Sequence, residues 1–299
     1  MNQNQGYSYQ VEPKQVNAPI AANTKRRLET NKLMIYFVLV TFLFISVMPV
    51  LWIVLAALKD SNELNENPFA FPSTITFQNI IDAWTVGKMG KYFLNSVIVA
   101  FPRVIIILIL ASLAGYAFGK LKFPGRDALF YFFLIGLMIP IQAMIIPLYY
   151  NIQSMGLINT YWAMIIPNIG LSMPFAIFMM RAFFRDLPDE LMDAAKMDGC
   201  NAFQTFYHVF LPLMIPAITS LFVLEFMWAW NDFLLPLLFV YDDNYRTLPL
   251  GLMYFFGEYT SNHSLIAAGV SISIIPIIVI YMIFQRKFIE GITAGSVKG

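Results

Sequence analysis

Long apolar runs separated by short polar segments make up most of this chain. Six runs are each long enough to supply the roughly 20 apolar residues that a helix needs to cross a lipid bilayer. These runs are Leu33–Leu58, Phe93–Phe118, Leu129–Tyr150, Tyr161–Met180, Val209–Trp230 and Leu265–Gln285. The third and fourth belong to one stretch without Asp, Glu, Lys or Arg, which the polar residues 151–160 divide. The pattern predicts an all-α integral membrane protein with six transmembrane helices.

The segments outside these runs indicate the domain organisation. Residues 1–30 are polar and lack hydrophobic periodicity, which is typical of a disordered tail. Residues 31–299 are predicted to form one transmembrane domain. Between the first two runs, Phe71–Trp84 carries enough Phe, Ile and Trp to predict a short packed helix.

Lysine and arginine are unequally distributed between the two sides of the predicted domain. One side carries fourteen of them, and the other carries only Lys59, Lys88, Lys91 and Arg246, while Arg103 lies inside the second run. Membrane proteins keep positive residues on the cytoplasmic side. We therefore predict that both termini and the loop between the fourth and fifth spans are cytoplasmic.

Composition agrees with a lipid environment and narrows the range of functions. The chain is 59% hydrophobic and 12% charged, whereas soluble domains average about 25% charged residues. A net charge of +1 without a basic stripe gives no expectation of nucleic acid binding. Because Cys200 is the single cysteine, no internal disulfide framework is possible. The two histidines, His208 and His263, do not predict a metal site.

Motifs for enzymatic chemistry are missing from the sequence. It contains no G-x-x-x-x-G-K-[ST] loop to hold nucleotide phosphates, and neither H-E-x-x-H nor G-x-S-x-G occurs. We therefore expect this chain to have no catalytic residue, no metal and no bound cofactor.

The polar segment 186–212 predicts a helix–turn–helix elbow before the fifth span. A first helix begins near Pro188, where proline suits the first turn, with acidic residues at its positively polarised end. Its small face is predicted to consist of Leu191, Ala194 and Ala195, and Asp198-Gly199 is predicted to end it. The second helix has Phe203, Phe206, Tyr207 and Phe210 at helical spacing. Periodicity leaves two interpretations open, an elbow lying on lipid and an elbow docked in a partner's cleft.

In this segment the sequence resembles the permease subunits of binding-protein-dependent ABC importers. Their cytoplasmic signature is E-A-A-x-x-D-G-x(9)-I-x-L-P. Here Asp193-Ala194-Ala195-Lys196-Met197-Asp198-Gly199 is followed, after nine residues, by Val209-Phe210-Leu211-Pro212. Asp193 replaces the glutamate and Val209 replaces the isoleucine, and both replacements keep charge or shape.

Other segments resemble the maltose-type sugar permeases in particular. They are "NSVIVA" (95–100), "AGYAFGKLKFPGR" (114–126), "MIPIQAMIIPLY" (138–149), "GLINT" (156–160), "WNDF" (230–233), "TLPLGL" (247–252) and the closing "GSVKG" (295–299), where Ser296 replaces the usual alanine. Six spans, a short outer loop and this tail resemble the second, smaller permease of the pair, the counterpart of the maltose system's G subunit.

The resemblance implies the type I ABC importer permease architecture, in which the elbow is a coupling helix set in a groove of an ATPase subunit. The implied coupling residues are Asp193, Ala194, Ala195, Asp198, Gly199, Phe203, Phe206, Leu211 and Pro212. The implied partners are a second permease subunit in a heterodimer, two copies of an ATPase that uses ATP and Mg, an extracellular solute-binding protein, membrane lipid and a sugar. The implied location is the plasma (inner) membrane of a bacterium or archaeon.

Ionisable and polar groups at membrane depth are candidates for the translocation pathway. Arg103 lies within the second span, and Glu225 in the fifth span is a candidate ionic partner for it. Gln142, Asn168, Asn231 and Asp232 could bind sugar hydroxyls, and Trp228, Trp230 and Tyr149 could stack on a sugar ring. Each of these residues also suits a purely structural contact between helices.

Together these features predict the permease subunit of an ATP-driven importer for an oligosaccharide or disaccharide, forming half of the translocation pathway. The same role with a glycerol phosphate, a polyol or another glycoside as cargo is an alternative. A non-transport membrane scaffold or enzyme is a third interpretation.

Overall fold

The computed structural model describes the backbone of residues 19–259 and 262–294, and side chains within 32–253, 255–259 and 262–290. Residues 1–18 of the predicted tail and the "GSVKG" motif at 295–299 lie outside the described residues. All regular elements in the described ranges are helical, as the apolar pattern predicted.

Five long helices and nine shorter ones follow one another along the described chain. The long helices are α1 (Pro19–Ala57), α4 (Met89–Lys120), α7 (Tyr161–Asp186), α11 (Ile215–Trp230) and α14 (His263–Ala294). The shorter ones are α2 (Ser61–Glu66), α3 (Gln78–Thr85), α5 (Arg126–Ile135), α6 (Ile141–Ser154), α8 (Glu190–Met197), α9 (Ala202–Thr205), α10 (Leu211–Leu213), α12 (Leu234–Phe239) and α13 (Leu248–Glu258). A π-helical turn joins α9 to α10 over Phe206–Phe210. The start of α1 falls within the stretch for which the sequence predicted a disordered tail.

Four helical segments are long and apolar enough to cross a membrane unbroken. They are Lys32–Ala57, Met89–Lys120, Tyr161–Asp186 and His263–Glu290. Two further crossings would each be a bent pair, Arg126–Met138 with Ile141–Ser154 at 100° and Ala202–Leu213 with Ile215–Trp230 at 76°. The described chain therefore has up to six crossings, which equals the number that the apolar runs predicted.

A proline explains the bend in the third crossing, which the sequence predicted as one continuous helix. Pro140 disfavours the helical conformation for the residue before it, because its ring clashes with that residue's backbone. Ile139 is accordingly extended, with φ −89° and ψ 114°, and it separates α5 and its closing 3₁₀ turn from α6.

Prolines also surround the bend at the start of the fifth crossing. Met214 joins α10 to α11 and lies between Pro212 and Pro216, whose rings have no N–H to donate to a helical ladder. The straight part of this crossing therefore begins at Ile215 rather than at Val209, where the sequence predicted it.

The chain divides into two compact units, residues 1–52 and 53–299. In the first unit, the described side chains from Leu33 to Met48 are apolar or small and exposed along the helix. A helix that is apolar all around suits lipid or neighbouring helices rather than water.

In the second unit α4 packs along α7, and α11 packs against α4 and α14. Gly115 and Gly119 allow α4 to approach α7 closely. A Cβ atom on Gly115 would lie 2.5 Å from the Cβ of Met180, and one on Gly119 would lie 2.9 Å from the Cβ of Phe184. This four-residue spacing of glycines is typical of closely packed membrane helices. It brings the Lys120 end of α4 beside the elbow that follows α7.

The opposite end of α4 is tied to the segment before α13. Asp243 accepts a hydrogen bond from the Tyr92 hydroxyl and pairs with Lys88 and Arg246, each at 3.0 Å. Burial alone would raise the pKa of Asp243. The hydrogen bonds from Tyr92 and Lys88, together with the nearby cations, outweigh burial and hold that pKa below its usual value.

Candidate functional site

The first half of the elbow is α8, which ends at the Asp-Gly turn that the sequence predicted. Gly199 has a φ of 77°, a left-handed conformation that glycine adopts without the steric cost of a side chain. Its N–H donates to the Lys196 carbonyl at 3.0 Å, and the Cys200 N–H donates to the Ala195 carbonyl at 2.9 Å. This pair of bonds is the Schellman motif, which satisfies carbonyls that the helix end leaves open.

A capping box begins the second half of the elbow. The Asn201 side chain accepts a hydrogen bond from the Gln204 N–H, and the Gln204 side chain accepts one from the Asn201 N–H, both at 2.9 Å. These reciprocal bonds satisfy two donors that a helix start leaves open. The chain then passes through the π-helical turn Phe206–Phe210, a rare element that is frequent at functional sites.

The sequence predicted one small apolar face on α8. In the structure the residues of that face do not all point the same way. Met192 and Ala195 are buried and Leu191 is half-buried, whereas Ala194 is exposed. Only the inner edge of α8 contacts the bundle, so the predicted small face is divided between the core and the outer surface.

The aromatic stripe of the second half is divided in the same way. Phe206 and Phe210 are buried, whereas Phe203 is 68% exposed and Tyr207 is 57% exposed. The stripe is wider than the surface that α4 and α7 offer, and only one edge of it packs inward. Leu211 is half-buried and Pro212 is exposed where the elbow turns into α10.

Tyr116 of α4 holds the inner side of the elbow. Its ring packs against those of Phe184, Phe206 and Phe210, with centroid separations of 5.7, 5.3 and 5.4 Å. Its hydroxyl donates to the Ala202 carbonyl at 3.1 Å. Aromatic pairs at this spacing contribute about 0.5–1.5 kcal/mol each beyond the burial of their area. These contacts tie the inner side of the elbow to α4.

Lys120, the last residue of α4, holds the start of the elbow. Its ammonium donates to the Leu187 carbonyl at 2.6 Å and to the Asp189 carboxylate. The hydrogen bond from Lys120 is the main cause that lowers the pKa of Asp189, and the charges of Lys122 and Lys196 add to it. Because the Asp189 side chain is largely exposed, this ion pair orients the segment more than it stabilises the fold.

The outward side of the elbow combines large apolar groups with carboxylates. Met197 is 89% exposed, and Phe203 and Tyr207 are exposed as well and line an apolar groove beside α4. Asp193 and Asp198 are also exposed. We call these five residues the elbow surface. Apolar groups gathered on an exposed segment are typical of an interaction surface.

A second polar site lies inside the helix bundle, where Arg103, Asn168 and Asp232 meet. Arg103 Nη1 lies 3.3 Å from Asp232 Oδ2. Asn168 Nδ2 donates to the same oxygen at 2.6 Å and to the Met164 carbonyl at 2.8 Å. The side chains of Arg103 and Asn168 are buried. A guanidinium buried away from water needs a carboxylate partner, because an unpaired buried charge is strongly destabilising.

Glu225 is buried beside this site but does not form the ion pair with Arg103 that the sequence suggested. Its side chain is 0% exposed, and neither carboxyl oxygen accepts a hydrogen bond from the described residues. Ser172 and Arg103 are the polar groups that face it. Asp232 is the carboxylate that takes the guanidinium.

Among the other pathway candidates, Trp230 lies in the core. It is 2% exposed, and its indole N–H donates to the Ser273 carbonyl at 3.0 Å. Asn231 and Gln142 are exposed, and the Asn231 amide donates to the Met227 carbonyl at 2.8 Å. Asn231 and Gln142 therefore keep polar atoms free for a solute, whereas Trp230 presents no open ring face.

The other two aromatic candidates are engaged with neighbouring rings. Trp228 is 47% exposed and packs edge-on against Phe175, with ring centroids 5.1 Å apart. Tyr149 is half-buried and stacks on Phe239 at 6.4 Å. Part of the Trp228 ring therefore stays accessible.

Several functional residues were not found from the sequence. The Asn201–Gln204 capping box was readable as an N-x-x-Q pattern, and Lys120 was readable as a cation closing a span. Tyr116 and Ser172 carry no such signal, because tyrosine and serine are ordinary residues in apolar helices. Their roles depend on which helices meet.

A bundle of apolar helices, a projecting helical elbow and a buried ionic site define a multi-pass α-helical membrane protein. Within the described side chains, no group of three or more His, Cys, Asp or Glu residues could hold a metal ion. Residues 107–293 match the family model described as "Binding-protein-dependent transport system inner membrane component". The chain belongs to this family.

Similar curated proteins cover nearly the same length. The probable ABC transporter permease protein YurM of Bacillus subtilis is 34% identical over 293 residues, 98% of this chain and 97% of that protein. The arabinooligosaccharides transport system permease protein AraQ of Halalkalibacterium halodurans is 38% identical over 260 residues, 86% of this chain and 92% of that protein. The diacetylchitobiose uptake system permease protein NgcG of Streptomyces coelicolor is 31% identical over 281 residues, 93% and 92% respectively.

A solved structure shares the fold. A chain of a bacterial ABC transporter involved in the import of the acidic polysaccharide alginate superposes with a TM-score of 0.76 at 21% identity. The match covers 88% of this chain and 98% of that chain. Fold and family together establish a permease of the ABC importer type, a non-catalytic subunit of a binding-protein-dependent transporter.

Proposed function

We propose that this chain is a permease subunit for an oligosaccharide or disaccharide and forms half of a translocation pathway with a second permease subunit. Relatives named for arabinooligosaccharide, diacetylchitobiose and trehalose transport support a carbohydrate cargo. An extracellular solute-binding protein would deliver the sugar, and it would largely determine which sugar is imported.

The proposed orientation places both termini and the elbow in the cytoplasm of a bacterium or archaeon, with the chain in the plasma (inner) membrane. The excess of Lys and Arg on the elbow side supports it, because cytoplasmic loops retain positive charge. The Lys88 end of α4 and the segment before α13 then face outward.

In this proposal the elbow docks on a cytoplasmic ATPase, of which the complete transporter has two copies. The observation that carries the proposal is the elbow surface, which exposes large apolar groups beside two carboxylates, while the inner side of the elbow is held to α4 by Tyr116 and Lys120. Nucleotide-driven movement of the ATPase would push the elbow and rock the helices. ATP and Mg would be bound and used by the ATPase, not by this chain.

Within the elbow, the proposed coupling residues have different roles. Gly199 forms the bend, and Ala194 is small enough to allow close approach of a partner. Asp193 and Asp198 are exposed for pairing with basic groups. Ala195, Phe206 and Leu211 pack on the inner side, and Pro212 directs the chain toward α11.

Gln142 and Asn231 are the proposed sugar contacts, because their amides are exposed. Trp228 could add a stacking surface from its accessible part. Arg103, Asn168 and Asp232 bind one another instead, and we assign them to the structure of the pathway wall.

The docking proposal is tested by placing a charge on the elbow surface. Met197→Asp should abolish co-purification of the ATPase from detergent-solubilised membranes, because a buried unpaired carboxylate is costly at a protein interface. Phe71→Asp is the matched control, since Phe71 is 81% exposed at the opposite end of the bundle. It should leave the ATPase bound.

Two results would contradict docking. One is an ATPase that remains bound to Met197→Asp as well as to the control. The other is a photo-crosslinker at Met197 that captures only phospholipid in native membranes, which would favour an elbow lying on lipid. The sugar proposal is tested separately, by uptake of labelled oligosaccharides in the presence of the cognate binding protein.

A further inference from the structure

The buried polar site has one cation for two carboxylates. Arg103 pairs with Asp232 through Nη1, and its buried Nε has no hydrogen-bond partner among the described residues. Glu225 is buried on α11, which packs against α4 with the rings of Phe101 and Phe226 5.6 Å apart. Glu225 is in the body of α11, and Asp232 follows two residues after its last residue, Trp230. One guanidinium on α4 therefore faces two acidic positions at different heights along the bundle.

Glu225 is the less satisfied of the two carboxylates. Its oxygens have no hydrogen bond from the described residues although the side chain is fully buried. Asp232, by contrast, accepts from Asn168 and faces the backbone N–H groups of Leu234 and Leu235. Asp232 would therefore keep several donors if the guanidinium left, whereas an ionised Glu225 would have only the Ser172 hydroxyl facing it and would gain more from the guanidinium.

The surrounding backbone allows the guanidinium and the two acids to change their relative heights. Pro102 precedes Arg103 and removes one hydrogen bond from the ladder of α4. Asp232 lies on the connector between α11 and α12. α11 continues from the elbow through the bend at Met214, so a displacement of the elbow that bends or slides α11 would shift Glu225 along the bundle.

We propose that Arg103 exchanges its carboxylate partner during the transport cycle, from Asp232 in the present conformation to Glu225 when the elbow is displaced. The exchange rests on the proposed function, since it requires an elbow driven by an ATPase. The charged and polar groups facing Glu225 are Arg103 from α4 and Ser172 from α7. The protein thereby keeps one buried ion pair in each conformation, and the two pairs favour different conformations.

The experiment uses the complete transporter, with its second permease, ATPase and binding protein, reconstituted in lipid. Cys200→Ser is the background, and spin labels are placed at positions 105 and 215, where Ile105 and Ile215 are exposed on α4 and α11. Pulsed dipolar spectroscopy then measures the label separation without nucleotide and with a trapped ATP analogue.

Glu225→Gln and Asp232→Asn each replace one acid by a neutral amide. They should shift the equilibrium between the nucleotide-free and the trapped conformation in opposite directions. Glu225→Gln should reduce the population with the trapped-state distance by about tenfold or more, because the displaced Arg103 loses its charged partner. Asp232→Asn should raise that population before nucleotide is added. The double variant should return toward the wild-type ratio, and Glu225→Asp, which keeps the charge, should resemble the wild type.

Thr219→Val is the control for a polar change elsewhere in α11, because the Thr219 hydroxyl bonds only the Ile215 carbonyl of its own helix. It should leave both populations unchanged. A shift of both neutral variants in the same direction, or no shift in Glu225→Gln, would overturn the exchange. A wild-type complex that shows neither ATPase binding nor a nucleotide-dependent distance would instead contradict the proposed function.

Discussion

At the residue scale, the elbow is held by a small number of atoms. Tyr116 supplies one hydroxyl and one ring to its inner side, and Gly199 supplies the one left-handed backbone position between its two halves. Tyr116 contributes a hydrogen bond and aromatic packing. Gly199 contributes only a backbone conformation. Each can be removed without changing the other.

Replacing Tyr116 separates its hydroxyl from its ring. Tyr116→Phe should lower the free energy of unfolding by about 1 kcal/mol, because the hydroxyl loses its hydrogen bond to the Ala202 carbonyl and its weak contact with Met192 Sδ while the ring stays. Tyr116→Ala should cost about 3–5 kcal/mol, because the buried ring is lost as well. Thermal denaturation in detergent measures both, and equal losses would show that the ring makes no contribution.

Replacing Gly199 tests the bend. Gly199→Val should strain the backbone by about 1–2 kcal/mol, since an L-residue with a branched Cβ is disfavoured at positive φ. Gly199→Asn is the matched control, because asparagine tolerates this conformation. We expect binding-protein-stimulated ATPase activity to fall in the valine variant and to persist in the asparagine variant. Equal activity in the two would mean that the bend does not need its left-handed residue.

At the scale of elements, the contact between α4 and α7 decides where the elbow is held. Gly115 and Gly119 remove side-chain bulk along one line of α4, so that the backbones come close. At the other end of α4, Asp243 joins Tyr92, Lys88 and Arg246 in one polar cluster. The helix is thus fixed at both ends.

Adding a methyl group at Gly115 should weaken the α4–α7 contact. A Cβ atom there would lie 2.5 Å from Met180 Cβ and 2.9 Å from its carbonyl carbon, so Gly115→Ala should cost about 1–3 kcal/mol of stability through overpacking. Gly170→Ala on α7 is the control, because no described atom outside its chain neighbours and its own helix backbone lies within 4 Å of its added Cβ. Melting temperatures of the two purified variants compare them. If Gly170→Ala lowered the melting temperature as much as Gly115→Ala, the loss of stability would have a cause other than the close packing of α4 and α7.

The Asp243 cluster should depend on pH in one direction. The pKa of Asp243 is lowered in the folded protein, below the value of about 3.9 in an unfolded chain. Its contribution to stability is therefore present above that unfolded value and disappears as pH falls through the folded pKa. Asp243→Asn should lower the melting temperature at neutral pH, and its difference from wild type should vanish in strong acid. A difference that stays constant into acid would contradict the ion-pair assignment.

At the scale of the whole molecule, the number of crossings and the distribution of charge together set the proposed topology. Six crossings would put both ends of the chain on one side, and the proposed topology places the elbow on that side as well. Lys and Arg are concentrated there. In the proposed topology the elbow and the Lys88 end of α4 lie on opposite sides, where the ATPase and the binding protein of an importer would act.

Labelling of single cysteines tests the topology. In a Cys200→Ser background, a membrane-impermeant maleimide should label Thr74→Cys in intact cells. It should label Met197→Cys only after the membrane has been permeabilised. Both positions are exposed, so accessibility to the reagent is matched. Labelling of Met197→Cys in intact cells would reverse the proposed orientation.

The sequence by itself determined the class of fold, an upper limit of six crossings and the position of the elbow. Apolar runs are set by the thickness of the bilayer, and the Asp-Gly turn is set by local backbone sterics, so both are readable from neighbouring residues. For the same reason the bend at Gly199 was placed correctly. The family signature lies in this local segment.

Only the tertiary structure decided which residues meet across helices. The sequence suggested Glu225 as the ionic partner of Arg103, and it suggested Asp232 as a contact for sugar hydroxyls instead. The packing of α4 against α7 and α11 selects Asp232 and leaves Glu225 without a hydrogen bond from the described residues. Long-range pairing depends on how helices rotate and approach, and a single sequence does not encode that locally. The division of the aromatic stripe between core and surface has the same cause.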